Sequence, residues 1–415
     1  FRRVLFRSED AAEPFAVTAL PLTLNGRLRP GVADRISVPV RRGDRLVARL
    51  QARALIPYIP DAVPGWCQGL LRLTSADGRV LAEVEGRDGD ADPLLRWTAD
   101  RDGRVLLTVR DALWRGRSDF TYRLSLGALP VVDAVAPLSA LPGTRITLHR
   151  DGWHLGGSTP WTPPALPGLC DVPDAPGFRV LIDPLDVRAV GDAAVTPPLL
   201  LGGTCAETPA RIRLTLPAGR FRAEVFARRL GLPTDAALTL RGSDGRIVAA
   251  NDDAPDPADG RDTQQVDPCL TATIAAAGAY TLELREAQGR HGAAFGWRLR
   301  LGDAVVPPAV RAFPSGLGAP RGAAAPLTLR LCARGLATPA GQVALVDAPP
   351  GVRLAGGRFA AGATTAACTI SSGPETPPLT ALRLIARGDD GSTWPVAAAD
   401  DVMQAFLWRH LAPAP

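Results

Sequence analysis

Residues Arg285 to Gly302 (REAQGRHGAAFGWRLRLG) lie over Arg110 to Gly127 (RDALWRGRSDFTYRLSLG) without a gap, so the chain contains itself twice. At the same offset of 175 residues (302 against 127), Arg222 to Leu230 (RAEVFARRL) lies over Val47 to Leu55 (VARLQARAL). A repeat this long marks a duplicated domain, since solenoid periods run from about 20 to 50 residues. Between these anchors Asp77-Gly78-Arg79 matches Asp244-Gly245-Arg246 at an offset of 167 (244 against 77). The difference is extra sequence in copy one around Pro57-Tyr58-Ile59-Pro60 and Gly65-Trp66-Cys67, which copy two regains after its Asp-Gly. Both slips fall in polar, Pro- and Gly-rich sequence, where loops accept insertions.

The matched segments carry the period of strands. Val105, Leu107 and Val109 alternate with Leu106, Thr108 and Arg110; Tyr280, Leu282 and Leu284 alternate with Thr281, Glu283 and Arg285. Such alternation puts one face in a core and the other in water. Phe120, Tyr122, Leu124 and Leu126 repeat the pattern, as do Phe295, Trp297, Leu299 and Leu301. Each Asp-Gly pair sits between apolar runs, where it supplies the positive φ of a tight hairpin. Gly (42) and Pro (40) together make up about one residue in five, which disfavours long helices. The expected fold is all-β: tandem antiparallel β-sandwiches, jelly-roll or immunoglobulin-like, each copy a little over 100 residues.

The net charge of +5 suggests an anionic partner only at first sight. All 47 basic side chains are Arg, interleaved with Asp and Glu at outward strand positions, which gives a mixed solvated surface and no basic stripe for nucleic acid. No apolar run approaches the ~18 residues of a membrane-spanning helix. Phe1 to Ser8 (FRRVLFRS) resembles a translated sequencing-adapter tag and is set apart from fold reasoning, so the natural start is expected to lie elsewhere.

Both repeats resemble the bacterial pre-peptidase C-terminal (PPC) domain, found beside secreted peptidases and in large planctomycete-type extracytoplasmic proteins. In copy one the resemblance rests on Gly43-Asp44-Arg45-Leu46-Val47-Ala48, on Leu71-Arg72-Leu73 through Asp77-Gly78-Arg79-Val80-Leu81-Ala82, and on Gly103 to Asp111. In copy two it rests on Pro217-Ala218-Gly219, Leu238-Thr239-Leu240 through Asp244 to Asp253, and Ala277 to Leu282. Val132 to Pro137, followed by Gly143 to Leu148 and Gly152-Trp153-His154-Leu155, is similar to a TIG-type immunoglobulin-like domain. Leu327, Leu329 and Leu331 ahead of Ala348-Pro349-Pro350-Gly351-Val352 resemble a further immunoglobulin-like module. The expected organisation is therefore 9–130 and 185–305 for the PPC-like sandwiches, 131–184 and 306–388 for the two immunoglobulin-like modules, and 389–415 for an extension from which the chain would continue. The resemblance implies a location outside the cytoplasm (secreted, periplasmic or cell surface). It also implies a non-catalytic accessory or scaffold role in binding protein or matrix and in spacing domains.

Motifs for chemistry are sparse. The sequence holds no Gly-x-Ser-x-Gly, no His-Glu-x-x-His and no phosphate-cradling glycine loop, so no catalytic residue is assigned to this fragment. His149-x-Asp151-x-x-His154 has metal-ligand residue types, but reads equally as a strand end and turn with Trp153 packed inward. His291 stands opposite Gly116 of copy one, so the duplicated frame does not require it. The leading metal candidate is the acidic loop of copy two: Asn251, Asp252, Asp253, Asp256 and Asp259, followed by Asp262 and Asp267, with Asp88, Asp90 and Asp92 as a thinner version in copy one. Clustered carboxylates suit the oxygen-rich shell of Ca²⁺, and equally suit turns and caps in a solvated loop. The six Cys form no zinc spacing; Cys332 and Cys368 are the pair placed to bridge within the last module, with buried free thiols the alternative. Trp66 and Trp114 fall in loops of copy one as candidate ligand-binding rings for polysaccharide or collagen-like matrix, whereas Trp97 falls in an apolar strand and reads as core. Two rival functions remain: an accessory region of a secreted peptidase or other hydrolase whose catalytic domain lies outside the fragment, and a carbohydrate- or matrix-binding module.

Overall fold

The computed structural model describes residues 3–6, 13–55, 67–86, 92–165, 167–254, 266–302, 309–314, 316–318, 322–332, 339–377 and 380–398. The chain forms two compact units, one built on the sequence up to Asp133 together with Asp151–Gly157, the other on Ala134–Arg150 and the sequence from Ser158. Apart from a three-residue 3-10 turn at Arg228–Leu230, the regular structure of the described residues is all strand. None of their helices is long and apolar enough to cross a membrane, which leaves a crossing by strands untouched.

Copy one holds β1 (Arg3–Phe6), β2 (Phe15–Ala16), β3 (Leu22–Arg27), β4 (Asp34–Val40), β5 (Arg45–Gln51), β6 (Gly69–Thr74), β7 (Val80–Val84), β8 (Leu94–Thr98), β9 (Gly103–Asp111) and β10 (Thr121–Gly127). They form two five-stranded sheets, in the orders β1-β3-β10-β5-β8 and β2-β4-β9-β6-β7. The next strands are β11 (Val131–Ala136), β12 (Ser139–Ala140), β13 (Ile146–Trp153), β14 (Thr159–Trp161), β15 (Gly168–Asp171) and β16 (Arg179–Ile182). Here β13 pairs with β14, and β12-β16-β15 make a small sheet.

Copy two repeats the frame with β17 (Val187–Ala189), β18 (Leu199–Thr204), β19 (Ala210–Leu216), β20 (Gly219–Phe226), β21 (Ala236–Gly242), β22 (Ile247–Asn251), β23 (Cys269–Ile274), β24 (Gly278–Glu286) and β25 (Gly296–Leu301). Its sheets run β17-β18-β25-β20-β23 and β19-β24-β21-β22, the orders of copy one except that β2 is replaced by a single parallel bridge between Val195 and Leu214. The correspondence reaches the irregularities. Both Asp-Gly hairpins carry a register shift at the same place (Leu73/Thr74 and Leu240/Arg241), and both turn glycines, Gly78 and Gly245, have positive φ. Tyr122 lies opposite Gly26 and Trp297 opposite Gly203, each ring resting where a Cβ on the glycine would be about 2.4–2.6 Å from it. Even β1, within the adapter-like segment, runs parallel to β3 as β17 does to β18.

The alternation read from the sequence is the burial pattern. Ile36, Val38, Leu71, Leu73, Leu107, Val109, Phe120, Leu124 and Leu126 fill the first core; Ile212, Leu214, Leu238, Leu240, Leu282, Leu284, Trp297, Leu299 and Leu301 fill the second. Trp97 packs half-buried against the first core. The outer face of the β18–β25–β20 region is also covered. Leu200, Phe226, Leu230 and Leu232 pack with Leu138, Leu169 and Leu181, and the buried Arg300 guanidinium binds both Asp183 oxygens at 2.7 Å.

The last module holds β26 (Ala309–Phe313), β27 (Ala324–Cys332), β28 (Gly341–Val346), β29 (Arg353–Gly356), β30 (Arg358–Phe359), β31 (Thr365–Ser371), β32 (Arg383–Gly388) and β33 (Thr393–Ala398). They make one eight-stranded sheet, β29-β31-β27-β26-β33-β32-β28-β30, around a core of Val310, Leu327, Leu329, Leu331, Val343, Phe359, Ile370 and Trp394. Strand β33 lies beyond the expected boundary at 388, because its pairing with both β26 and β32 joins the two halves of the sheet. The register also rules out the Cys332–Cys368 bridge. Cys368 faces Leu327, five positions before Cys332, which is about 16 Å along the strand against the ~7 Å a disulfide spans. Cys368 is instead a buried free thiol.

In both copies one buried carboxylate ties the turn after β5 or β20 to the loop before β8 or β23. Asp92 accepts the N–H groups of Ala52, Arg53 and Ala54 at 2.8–2.9 Å. Asp267 accepts those of Ala227, Arg228 and Arg229 at 2.8–3.1 Å and adds the Arg229 guanidinium at 3.0 Å. Removing an acceptor strands buried donors, and in copy two it also leaves a buried cation short of a partner. We expect Asp267→Ala to lower unfolding free energy by about 3–5 kcal/mol. Asp92→Ala should cost about 1–3 kcal/mol through the amides it strands. Urea unfolding followed by Trp fluorescence reads both.

Candidate functional site

The second duplicated carboxylate builds a loop. Asp111 ends β9 and accepts the N–H groups of Gln68, Leu113 and Arg115 while the Arg115 guanidinium grips both its oxygens at 3.0–3.1 Å. Glu286 ends β24 and does the same with Asp235, Gln288 and Arg290. Burial alone would raise both carboxyls, but the guanidinium and the amides outweigh it and hold each below the ordinary carboxylate range. At the tip of this fixed loop Trp114 adopts φ +59°, the left-handed region, which costs a non-glycine residue about 1–2 kcal/mol. Copy two places Gly289 at that position with φ +76°. Copy one thus accepts strain that copy two avoids, and its tip carries two apolar side chains. Leu113 is 65% exposed and Trp114 49%, with the Arg110 guanidinium stacked 4.6 Å over the Trp114 ring. Gly116, under the same loop, allows the backbone of Arg29 and Pro30 to approach closely.

Trp66, the companion candidate, lies outside the described residues, as do Asp256, Asp259, Asp262, Asp88 and Asp90. The described part of the acidic loop divides by role. Asn251 accepts the N–H of Cys269 and donates to the Asp253 carbonyl, and Asp267 is taken up by the turn at Ala227–Arg229. Asp252 and Asp253 remain at the surface, where burial and the neighbouring charges of Asp252 and Asp235 push the Asp253 carboxyl up. Asp267 and Asp92 therefore serve as caps, a role the sequence could have shown, since they keep the 175-residue offset (267 against 92) while the loop before them does not. Among the described residues no three His, Cys, Asp or Glu side chains converge as a metal site.

The histidines are engaged separately. His149 Nδ1 contacts Ser158 Oγ at 2.8 Å, His154 Nε2 contacts the Arg45 carbonyl at 2.6 Å, and exposed His291 lies 3.8 Å from Glu207. Trp153 is half-buried against Val47, Leu94, Leu129 and Val131, with the Arg45 guanidinium 4.3 Å over its ring. Burial lifts the Cys67 thiol to about 12 and that of Cys205 to about 11, which leaves both as unreactive thiols at neutral pH.

No family model and no curated protein matches the chain. Solved structures similar to parts of it include the periplasmic inhibitor of g-type lysozyme PliG from Aeromonas hydrophila, at 8% identity over 31% of this chain and 98% of that one, TM-score 0.19. The M60 catalytic domain with two CBM51 domains of Clostridium perfringens ZmpB matches at 10% identity over 68% of this chain and 34% of that one, TM-score 0.19. A DUF4785 family protein of Legionella pneumophila matches at 10% identity over 93% and 96%, TM-score 0.14. Likeness at these scores carries no argument about this chain.

Two outcomes follow from the loop. Because Asp111 and Glu286 titrate lower in the folded than in the unfolded chain, the stability they contribute is present above the ordinary carboxylate range near pH 4. It is lost as pH falls through their lowered folded values. In acid titration Asp111→Asn and Glu286→Gln should shrink the fall in melting temperature below about pH 4. Trp114→Gly exchanges the ring contact for relief of backbone strain, so its melting temperature should hold or rise, with a gain of up to about 1 kcal/mol.

Proposed function

We propose that this chain is a binding and spacing region of a larger extracytoplasmic bacterial protein, made of tandem β-sandwiches of which copy one presents the contact surface. One observation carries the reading: two copies of one frame keep the same buried carboxylates and the same loop, yet differ at its tip, Leu113-Trp114 in one and Gln288-Gly289 in the other. A side chain that the fold does not need, held exposed at a conformational cost, is selected for something outside the fold. An aromatic and an aliphatic group on a rigid loop suit the flat apolar faces of a polysaccharide or the ridges of a collagen-like matrix protein.

Retention of the whole chain on immobilised polysaccharides and collagen-like proteins tests this reading. Trp114→Gly should remove retention while leaving the melting temperature at or above that of the parent. Retention that survives the substitution, or a parent chain that binds none of the matrices, overturns it.

A second proposal is calcium on the acidic loop, with Asp252, Asp253, Asp256 and Asp259 supplying carboxylates and Asn251 bracing the loop. It is supported by the Asp253 carboxyl, which burial and then the charges of Asp252 and Asp235 push up, a cost that a bound cation would relieve. At a hundredfold excess over its dissociation constant, Ca²⁺ should stabilise the native state by about 2.7 kcal/mol. A melt unchanged between calcium and chelator rejects the site.

A further inference from the structure

At the opposite end of β9 from Trp114, copy one opens into a cleft of ≈ 290 Å³. The turn of the β6–β7 hairpin forms one wall through Ser75, Ala76 and Asp77, and the β8–β9 turn forms the other through Asp100, Arg101 and Asp102. Trp97, Val40, Leu81 and Val105 make its apolar floor. The carboxylates are distributed with capacity to spare. Asp102 accepts the Arg42 amide through one oxygen, Asp77 accepts the Ser75 hydroxyl through one oxygen, and Asp100 has only a loose 3.8 Å contact with the exposed Arg101. Arg104, the other cation on the rim, donates to Ser37 Oγ, the Ser37 carbonyl and the Val17 carbonyl. What faces the cleft is thus an indole and three carboxylates against two guanidinium groups, Arg101 in solvent and Arg104 held by neutral acceptors, an excess of one negative charge.

Copy two is the internal control. At the offset of 175 (272 against 97), Trp97 becomes Ala272, and Asp100-Arg101-Asp102 becomes Ala275-Ala276-Ala277. The strands around them keep their register: Leu46 faces Trp97 as Phe221 faces Ala272, and Val40 faces Gly103 as Leu216 faces Gly278. Val105 becomes Tyr280, whose hydroxyl donates to the Ala276 carbonyl at 2.8 Å, so in copy two the chain lays its own ring along this turn. Asp77 keeps a counterpart in Asp244, but Trp97, Asp100 and Asp102 do not: the frame folds without these three, and copy two has a side chain of its own along this turn.

We propose that this cleft of copy one binds an organic cation, a guanidinium or alkylammonium group lying against the Trp97 ring and hydrogen-bonded by Asp77, Asp100 and Asp102. An aromatic face with carboxylates around it favours such a group twice, through the ring quadrupole and through charge-assisted hydrogen bonds. A neutral sugar gains nothing from the excess of negative charge. The Ser75 hydroxyl holds the Asp77 carboxyl below its ordinary range, so this acceptor stays ionised into mild acid. The cation comes either from a side chain of a partner protein or from a free polyamine, and the inference stands independently of the matrix contact at Trp114.

Calorimetric titration of the full chain at low ionic strength separates these sources with N-acetyl-arginine amide and N-acetyl-lysine amide in one arm and spermidine in the other. N-acetylglucosamine serves as the neutral comparison. Saturable binding of at least one cation is expected, weakened at least fivefold by the surface double variant Asp77→Asn/Asp100→Asn and at least tenfold by Trp97→Ala. Preference for the capped residues assigns the site to a protein partner, and preference for spermidine to a free polyamine. The double variant changes only exposed oxygens, so it keeps the test decisive even if Trp97→Ala weakens the core. No saturable cation binding, binding indifferent to the double variant, or equal binding of the sugar overturns the proposal.

Discussion

The duplicated frame hangs on a carboxylate buried beneath a turn. Asp92 and Asp267 each gather three successive amides at the end of β5 or β20, where the chain leaves the sheet and its N–H groups would otherwise lack a partner. With that turn fixed, strands β5 and β20 end in a defined direction, and the loop that precedes β8 or β23 is pinned beside them. A second carboxylate, Asp111 or Glu286, performs the same service at the end of β9 or β24. These four side chains are the polar skeleton on which the apolar cores close.

Copy two elaborates the skeleton with a buried charge network. Arg229 joins Asp267 to Glu224, which also holds Arg222, so a chain of buried charges runs across the outer face of its sheet. Burial by itself would raise Glu224, but the two guanidinium groups prevail and hold it low. At the matching positions copy one has Val47, Arg49 and Ala54, and Val47 is buried in a small apolar cluster. One ancestral fold has therefore specialised in opposite directions. Copy two covers that face with charge networks and neighbouring strands, whereas copy one keeps its distinctive residues for exposed ends: Leu113 and Trp114 at one, and Trp97 with Asp100 and Asp102 at the other.

A duplication in one chain lets each copy serve as the other's control. A residue kept in both answers to the fold; a residue present in one, at a position whose backbone is unchanged, answers to something else. By that criterion Asp267, which stands in the run of acids that suggests calcium, belongs to the frame, and Trp97, whose apolar strand suggests core, belongs in part to a surface cleft.

The all-β class, the duplication and the alternation that sorts core from surface were determined by the sequence alone, because strand periodicity and repeat register are local or translational properties of the chain. The position of Trp114 in a loop and the left-handed turns at Gly78 and Gly245 were legible for the same reason. The shared offset of Asp92 and Asp267 marked them as frame residues, but only the tertiary structure decided which amides they cap, that Cys332 and Cys368 are out of register, and that β33 completes the last sheet. It also brought the β6–β7 and β8–β9 turns to face one another over Trp97. Each of these depends on which strands become neighbours, and non-local pairing leaves no mark in the spacing of residues along the chain.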